Sequence, residues 1–202
     1  GEIYNYQDLR KDLIEKGHIF ANNSDTEVLI HAYEEYGEDM LNKLRGMFAF
    51  VIWDSEKETL FGARDFFGIK PVYYAEIDGH FVFASEIKSI LAFPGYERKV
   101  NQKALEQYLS FQYAPLEETF FKGIYKLMPG HMLLYKNGNY EIKTYFKTKL
   151  TPGKWNRKTN MDQLRSQLAE ILKDSVKHHM LSDVEVGAFL SGGVDSGYLA
   201  SA

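Results

Sequence analysis

The chain has 202 residues, of which 45% are hydrophobic and 26% charged, with a formal net charge of −4. That length and balance predict a globular chain of one domain, or one domain plus part of another, and the 15% aromatic content supports a large packed core. The acidic balance and the lack of a long Lys/Arg run argue against nucleic acid or an anionic membrane as the main partner, and no apolar run approaches the ~20 residues of a membrane span. There is no cysteine, which excludes a disulfide framework, a thiolate metal site and a cysteine nucleophile within these residues.

In chain order, Asn5 is a candidate helix cap, with Asp8 behind it, Leu9, Leu13 and Ile14 on one face, and Gly17 as the stop. Ile19-Phe20 reads as a short strand. Ser24 and Glu27 form a capping box, and Val28, Leu29, Ala32, Tyr33 and Tyr36 give a helical stripe that ends at Gly37. Met40, Leu41 and Leu44 predict one more short helix, closed by Gly46.

The texture then becomes β-rich. Met47 to Trp53 and Thr59 to Arg64 read as a hairpin across the polar turn Asp54 to Glu58. Arg64 to Pro71 is a turn-rich crossing in which Arg64 and Asp65 are expected to pair, with Gly68 and Pro71 conformational. Val72 to Glu76 and His80 to Ala84 form a second hairpin across Asp78-Gly79. A short helix, Glu86 to Phe93, is capped by Ser85 and stopped by Pro94-Gly95, and another covers Ala104 to Phe111. Met128-Pro129-Gly130 and Asn137-Gly138 are turns around the strand candidates His131 to Tyr135 and Tyr140 to Tyr145.

Residues 147–160, with Thr151-Pro152-Gly153-Lys154, read as an inter-domain linker. Met161, Leu164, Leu168, Ile171, Leu172 and Val176 mark a long amphipathic helix ending at His178-His179, where cations suit the helix dipole. No metal role is expected for any of the six histidines.

The apolar run Val184 to Leu190 then predicts a buried strand. It leads into Ser191-Gly192-Gly193-Val194-Asp195-Ser196 and the start of a helix. Paired glycines let backbone N–H groups approach a ligand, and the helix N-terminus adds positive potential, so a phosphate is the expected occupant. Ser191 and Ser196 can donate to phosphate oxygens. Asp195 would repel phosphate unless a divalent cation bridged them. The loop is not a Walker A, because no Lys follows the glycines. The plain alternative is a turn in which Asp195 or Ser196 caps the helix. Phe189 is expected to be core through its side chain.

The loop resembles the S-G-G-x-D-S pyrophosphate loop of the ATP pyrophosphatases. Gly1-Glu2-Ile3-Tyr4-Asn5, Ser24-Asp25-Thr26-Glu27-Val28, Gly46-Met47-Phe48-Ala49-Phe50 and the Arg64 to Pro71 block resemble segments of the class II, N-terminal-nucleophile glutamine amidotransferases. The two together, in this order, are similar to the layout of glutamine-hydrolysing asparagine synthetases. This resemblance implies an α+β fold: an αββα-like sandwich over residues 1–146, a linker over 147–160, and over 161–202 the beginning of an α/β pyrophosphate-loop synthetase domain. It also implies the chemistry: ammonia from glutamine passes to an aspartate activated by ATP, giving asparagine, AMP and pyrophosphate.

By the same resemblance, Gly1 corresponds to an oxyanion-hole glycine, and Glu2 and Asp25 to carboxylates that hold the glutamine α-ammonium. Phe189 and Ser191 border the nucleotide, Gly192, Gly193 and Ser196 bind pyrophosphate, and Asp195 places Mg²⁺. The implied partners are glutamine, aspartate and ATP, with no nucleic acid and no membrane, in a cytoplasmic parent protein that could be a homodimer. Gly1 is not a Met, and Ala200-Ser201-Ala202 lies within an expected helix, so the chain is read as a fragment cut at both ends. Without the nucleophilic Cys it is expected to have no glutaminase activity of its own. Two alternatives keep both halves: a β-lactam-synthetase-like adenylating enzyme, and a non-catalytic relative that retains the fold. Phosphoribosyl or sugar-phosphate amidotransferases share the first half, but the glycine loop argues against them.

Overall fold

The structure, a computed structural model, describes residues 1–149, 160–182 and 184–202. The chain divides into two compact units, Gly1–Thr148 and Lys149–Ala202.

The first unit begins with β1 (Glu2–Ile3), α1 (Tyr6–Glu15) and α2 (Asp25–Tyr36). A 3-10 helix (Gly37–Asn42) and β2 (Gly46–Met47) follow. Then come β3 (Ala49–Asp54), β4 (Thr59–Arg64), β5 (Tyr73–Ile77), β6 (His80–Ala84), α3 (Ile87–Leu91), α4 (Gln102–Phe111), β7 (Ile124–Lys126), β8 (His131–Lys136) and β9 (Asn139–Thr144). Three antiparallel sheets result: β1-β2, β3-β4-β8-β9 and β6-β5-β7.

Strand alternation explains how these sheets stack, since successive side chains point to opposite faces. Phe61 and Ala63 on β4, Met132 and Leu134 on β8, and Phe50 and Ile52 on β3 pack against Leu9, Leu13, Val28, Leu29 and Ala32 of α1 and α2. The intervening residues Leu60, Leu133 and Tyr135 face the other way. They meet Tyr74, Phe81 and Tyr125 of the three-stranded sheet. The far face of that sheet, with Ala75, Ile77 and Val82, packs on Ile87, Ile90 and Leu91 of α3. Helices, sheet, sheet and helix therefore form successive layers with a core at each interface, which is the expected α+β sandwich.

Both tight hairpins form where Asp-Gly and Asn-Gly predict them. Asp78, Gly79, Asn137 and Gly138 all have positive φ, as a two-residue turn of this kind needs. Several local expectations are corrected. Ile19 and Phe20 form no strand, and Ile19 is largely exposed, because no neighbouring strand offers a ladder there. The capping box is half made: Ser24 Oγ accepts from the Glu27 N–H at 3.3 Å, but the Glu27 carboxylate turns back to the N–H groups of Ala21 and Asn22. Glu86, not Ser85, precedes α3, and it makes no side-chain cap. Gly46 closes no helix. It sits in β2, and a Cβ there would lie 2.1 Å from the Glu2 carbonyl oxygen, so the β1–β2 contact needs glycine.

The second unit contains α5 (Met161–His179) and α6 (Val194–Ser201). Asn160 caps α5 by accepting from the N–H groups of Asp162 and Gln163. The expected linker falls mostly on 150–159, outside the described residues. The expected strand from Val184 to Leu190 is not formed: among the described residues of this unit no strand is present to pair with it, and a lone strand leaves its backbone groups without a ladder. Phe189, expected in a core, is fully exposed for the same want of a partner. Among the described residues, no helix is long and apolar enough to cross a membrane.

Candidate functional site

Gly1, Glu2 and Asp25 come together at one edge of the first unit. The Ile3 N–H donates to Asp25 Oδ2 at 3.0 Å, which ties the first turn of α2 to β1. Ser24 supplies the cap, so Asp25 sits just inside the helix, where the dipole favours its charge. Its other oxygen is met only by the Thr26 hydroxyl, at a long 3.4 Å among the described residues. Glu2 is exposed and paired through its backbone with Met47. Gly1 lies close against the opposite segment: a Cβ on it would be 2.7 Å from the Met47 carbonyl oxygen and 3.0 Å from Phe48 Cα.

That segment is fixed from behind. Asn5 Nδ2 donates to the Lys43 carbonyl at 2.8 Å, and the Arg45 N–H donates to Asn5 Oδ1 at 2.9 Å. Asn5 thus uses its side chain to hold the entry to β2 rather than to cap α1. The Tyr4 N–H reaches the Arg45 carbonyl at 2.7 Å. Burial, then the charges of Glu2 and Asp65, push the Tyr4 phenol above its ordinary range.

Arg64 and Asp65 do not pair as expected. Each organises its own set of backbone groups. Asp65, almost fully buried, accepts from the N–H groups of Phe48, Phe67, Ile69 and Lys70 at 2.9–3.2 Å. Arg64 donates to the carbonyls of Lys70, Leu127 and Gly68, each at 2.7 Å. Burial lowers the Arg64 pKa, and the Asp65 charge partly offsets that. The physical reason is satisfaction. The turn from Phe66 to Lys70 has no ladder partners, so a carboxylate collects its N–H groups and a guanidinium its carbonyls. Gly68 completes the turn with φ +67°, where a Cβ would lie 2.7 Å from Pro129 Cγ. Phe48 joins this cluster to the edge, because its N–H and carbonyl both bond Asp65 and its backbone abuts Gly1. Phe48 and Asp65 tie this edge to the turn, a link between two blocks that the sequence does not show. The one available signal was a charged pair inside an otherwise apolar turn.

The second set of expected residues lies in the other unit. Gly193, in an extended conformation, caps α6, so neither Asp195 nor Ser196 does. Gly192 has φ +79° and turns the chain into the helix. Ser191 Oγ and Ser196 Oγ are 2.9 Å apart, the Ser196 hydroxyl reaches the Gly193 carbonyl at 3.1 Å, and the Gly193 N–H points at Ser191 Oγ at 3.4 Å. The loop is therefore closed on itself by its hydroxyls. Asp195 stands exposed in the first turn of α6, with no hydrogen bond or ion pair among the described residues. Phe189, two residues before Ser191, has a fully exposed side chain. His178 and His179 each place Nδ1 on the carbonyl four residues back, at 2.7 and 2.8 Å.

Residues 1–146 match the glutamine amidotransferase domain family, and residues 167–202 match the asparagine synthase family. The chain is 45% identical over its whole length to asparagine synthetase [glutamine-hydrolyzing] 1 of Bacillus subtilis, of which it covers 31%. It is 38% identical over 97% of its length to asparagine synthetase [glutamine-hydrolyzing] 3 of the same organism, again covering 31%. It thus spans about a third of the length of the curated relatives it matches. Among solved structures, glutamine phosphoribosylpyrophosphate amidotransferase from B. subtilis is similar in fold, with a TM-score of 0.52 and 22% identity over 73% of this chain and 28% of that one. Both of these relatives are asparagine synthetases, and on the match that covers residues 1–146 the chain belongs to the glutamine amidotransferase domain family.

Proposed function

We propose that these residues serve a glutamine-dependent asparagine synthetase, in which ammonia released from glutamine is joined to an aspartate activated by ATP. The single observation that carries this reading is the order of the two family matches, with an amidotransferase body followed by a glycine loop that ends in a free carboxylate. In this reading Glu2 and Asp25 flank the α-ammonium of glutamine, where two acids suit one cation. Gly1 contributes its backbone N–H to the anion that forms when the amide is attacked. The attacking thiol is not among these 202 residues, which contain no cysteine, so the isolated chain does not hydrolyse glutamine.

The glycine loop binds the pyrophosphate portion of ATP. Its fit rests on its polar groups: backbone N–H groups of Gly192 and Gly193, hydroxyls of Ser191 and Ser196 now held by contacts within the loop, and the exposed Asp195. Hard oxygen donors suit Mg²⁺: Asp195 would hold the ion, whose charge would offset the repulsion between the carboxylate and phosphate. Phe189 borders the nucleotide through its backbone. The domain boundaries of this reading are 1–146, 147–160 and 161–202, in a cytoplasmic protein that neither binds nucleic acid nor enters a membrane, and that pairs as a homodimer.

Glu2 offers the cleanest test, because its side chain is exposed and makes no hydrogen bond or ion pair among the described residues. In the full-length protein, Glu2→Gln should raise KM for glutamine by about tenfold or more, the order of one charge-assisted contact. Asparagine formation from added ammonia should be unchanged. If both nitrogen sources fail equally, or neither is affected, Glu2 does not hold glutamine.

A further inference from the structure

The two histidines His18 and His31 meet in the first unit, where the end of α1 lies beside α2. His18 follows α1. Its N–H bonds the Leu13 carbonyl at 3.0 Å, and the Gly17 N–H bonds Ile14 at 2.9 Å, so its backbone is fixed by the helix end. His31 lies in the middle of α2, and Glu34 is three residues on, on the same face. The thirteen-residue gap between the histidines hides them from a reading of sequence spacing.

Three donor atoms converge there. His18 Nδ1 and His31 Nδ1 are 3.2 Å apart, His31 Nδ1 is 2.8 Å from Glu34 Oε2, and His18 Nδ1 is 3.6 Å from the same oxygen. Tetrahedral ligands with bonds of about 2.0–2.1 Å lie roughly 3.3 Å from one another, so these separations match one face of a zinc-type coordination tetrahedron.

The far ring nitrogens have partners as well. His18 Nε2 faces Glu35 Oε2 at 3.3 Å, and His31 Nε2 faces Glu27 Oε1 at 3.8 Å. His18 Nε2 is thus within hydrogen-bond reach of Glu35, while His31 meets Glu27 more loosely and turns its Nδ1 to Glu34 at 2.8 Å. Two imidazole nitrogens and a carboxylate oxygen then face one another.

The surroundings are built to hold these orientations. Glu27 is anchored by the N–H groups of Ala21 and Asn22 at 2.7 and 2.8 Å, and Glu35 by Lys16 at 3.2 Å. Phe20 packs edge-on against His31 with ring centroids 4.5 Å apart. A carboxylate behind each ligating imidazole is the usual outer shell of a protein metal site. The histidine side chains are mostly buried, at 16% and 17% exposure, whereas Glu34 is 53% exposed, which leaves a side open for water as fourth ligand.

We propose that His18 Nδ1, His31 Nδ1 and Glu34 form a site for a divalent transition metal of the zinc class, with Glu35 and Glu27 orienting the two imidazoles. The site fastens the end of α1 to α2. Its two nitrogens and one oxygen suit Zn²⁺ and Co²⁺ and disfavour Mg²⁺ and Ca²⁺, which take all-oxygen sets.

The test is a titration of the 202-residue chain with Co²⁺, read by visible absorption. There is no cysteine, so any intense absorption comes from a low-coordinate nitrogen–oxygen site. We expect saturation at one equivalent, displacement by Zn²⁺ but not by Mg²⁺, and a rise in Tm with Zn²⁺. His18→Gln and His31→Gln should each abolish the bands, with folding checked by circular dichroism. Glu35→Gln, which touches no metal, should weaken binding by about 10- to 100-fold while keeping the spectrum. His178→Gln should change nothing. Only weak octahedral absorption, binding that survives His18→Gln, or binding lost with His178→Gln would each overturn the site; so would a wild-type affinity in Glu35→Gln, for the outer-shell role.

Discussion

The two units use hydrophobic residues in opposite ways. In Gly1–Thr148 the apolar side chains close on each other in three successive cores, and Leu13, Val28, Phe61 and Ile90 have no exposed surface. In Lys149–Ala202 neither α5 nor α6 has a single buried residue, although both carry an apolar face. Leu168, Ile171, Val184, Leu190 and Val194 are each more than half exposed. Amphipathic pattern alone is thus not a core. It becomes one only where a second layer meets it, as the four-stranded sheet meets α1 and α2. The amidotransferase edge is correspondingly held by buried bonds at Asp65 and Phe48, while the glycine loop is held by a few exposed hydroxyl contacts.

The contrast is broken most severely at Phe61. It is fully buried on β4, stacked on Tyr33 at 5.3 Å and edge-on to Phe50 at 5.9 Å. Phe61→Ala should cost about 3–5 kcal/mol in urea denaturation of the chain. Leu168→Ala, an apolar truncation of a similar kind on α5, should stay within about 0.5 kcal/mol of the parent in the same transition. Comparable losses would mean that the second unit carries a core of its own.

A smaller effect is expected at Asp65→Asn, which keeps the shape but turns an amide NH₂ toward backbone N–H groups. Leaving such buried donors unmet should cost about 1–3 kcal/mol. If Asp65 positions the edge through Phe48, the variant should also raise KM for glutamine in the full-length protein. A loss of stability with KM unchanged would confine Asp65 to the fold.

The gentlest probe is pH. At the β3–β4 turn, the Lys57 N–H, then the Lys57 ammonium and the Tyr33 hydroxyl, draw the Asp54 carboxyl from its ordinary 3.8 down to about 2. A carboxyl whose folded pKa lies below its unfolded one stabilises the fold fully above the unfolded value, and that share is lost as pH falls through the folded one. Acid denaturation between about pH 4 and pH 2 should therefore be shallower in Asp54→Asn than in the parent. An unchanged acid limb would show that the turn does not hold Asp54 in this way.

Much of the first unit is legible in the sequence because its signals are local. Asp78-Gly79 and Asn137-Gly138 dictate their turns, and the stripe from Val28 to Tyr36 dictates α2. What is not legible depends on partners distant in the chain. β7 is three residues without a turn signal, and it exists because β5 offers Tyr73 to Ala75 as an edge. Gly46 looks like a helix stop until Glu2 is placed against it. Arg64 and Asp65 look like an ion pair until the unpaired backbone of their own turn is counted. At the candidate sites, residue types are readable from motif resemblance, as at Gly1, Glu2, Asp25 and the loop to Ser196. The contact between His18 and His31 is not, since only the packing of α1 on α2 creates it.

If glutamine chemistry lies on the first unit and ATP chemistry on the second, Asp195 is the residue that separates them. In the full-length protein, Asp195→Asn should abolish pyrophosphate release and asparagine formation from aspartate and ATP, with ammonia as well as with glutamine, while leaving glutamine hydrolysis at the parental rate. Equal loss of hydrolysis and synthesis would reduce Asp195 to a residue needed for folding, and retention of both would remove the glycine loop from the chemistry altogether.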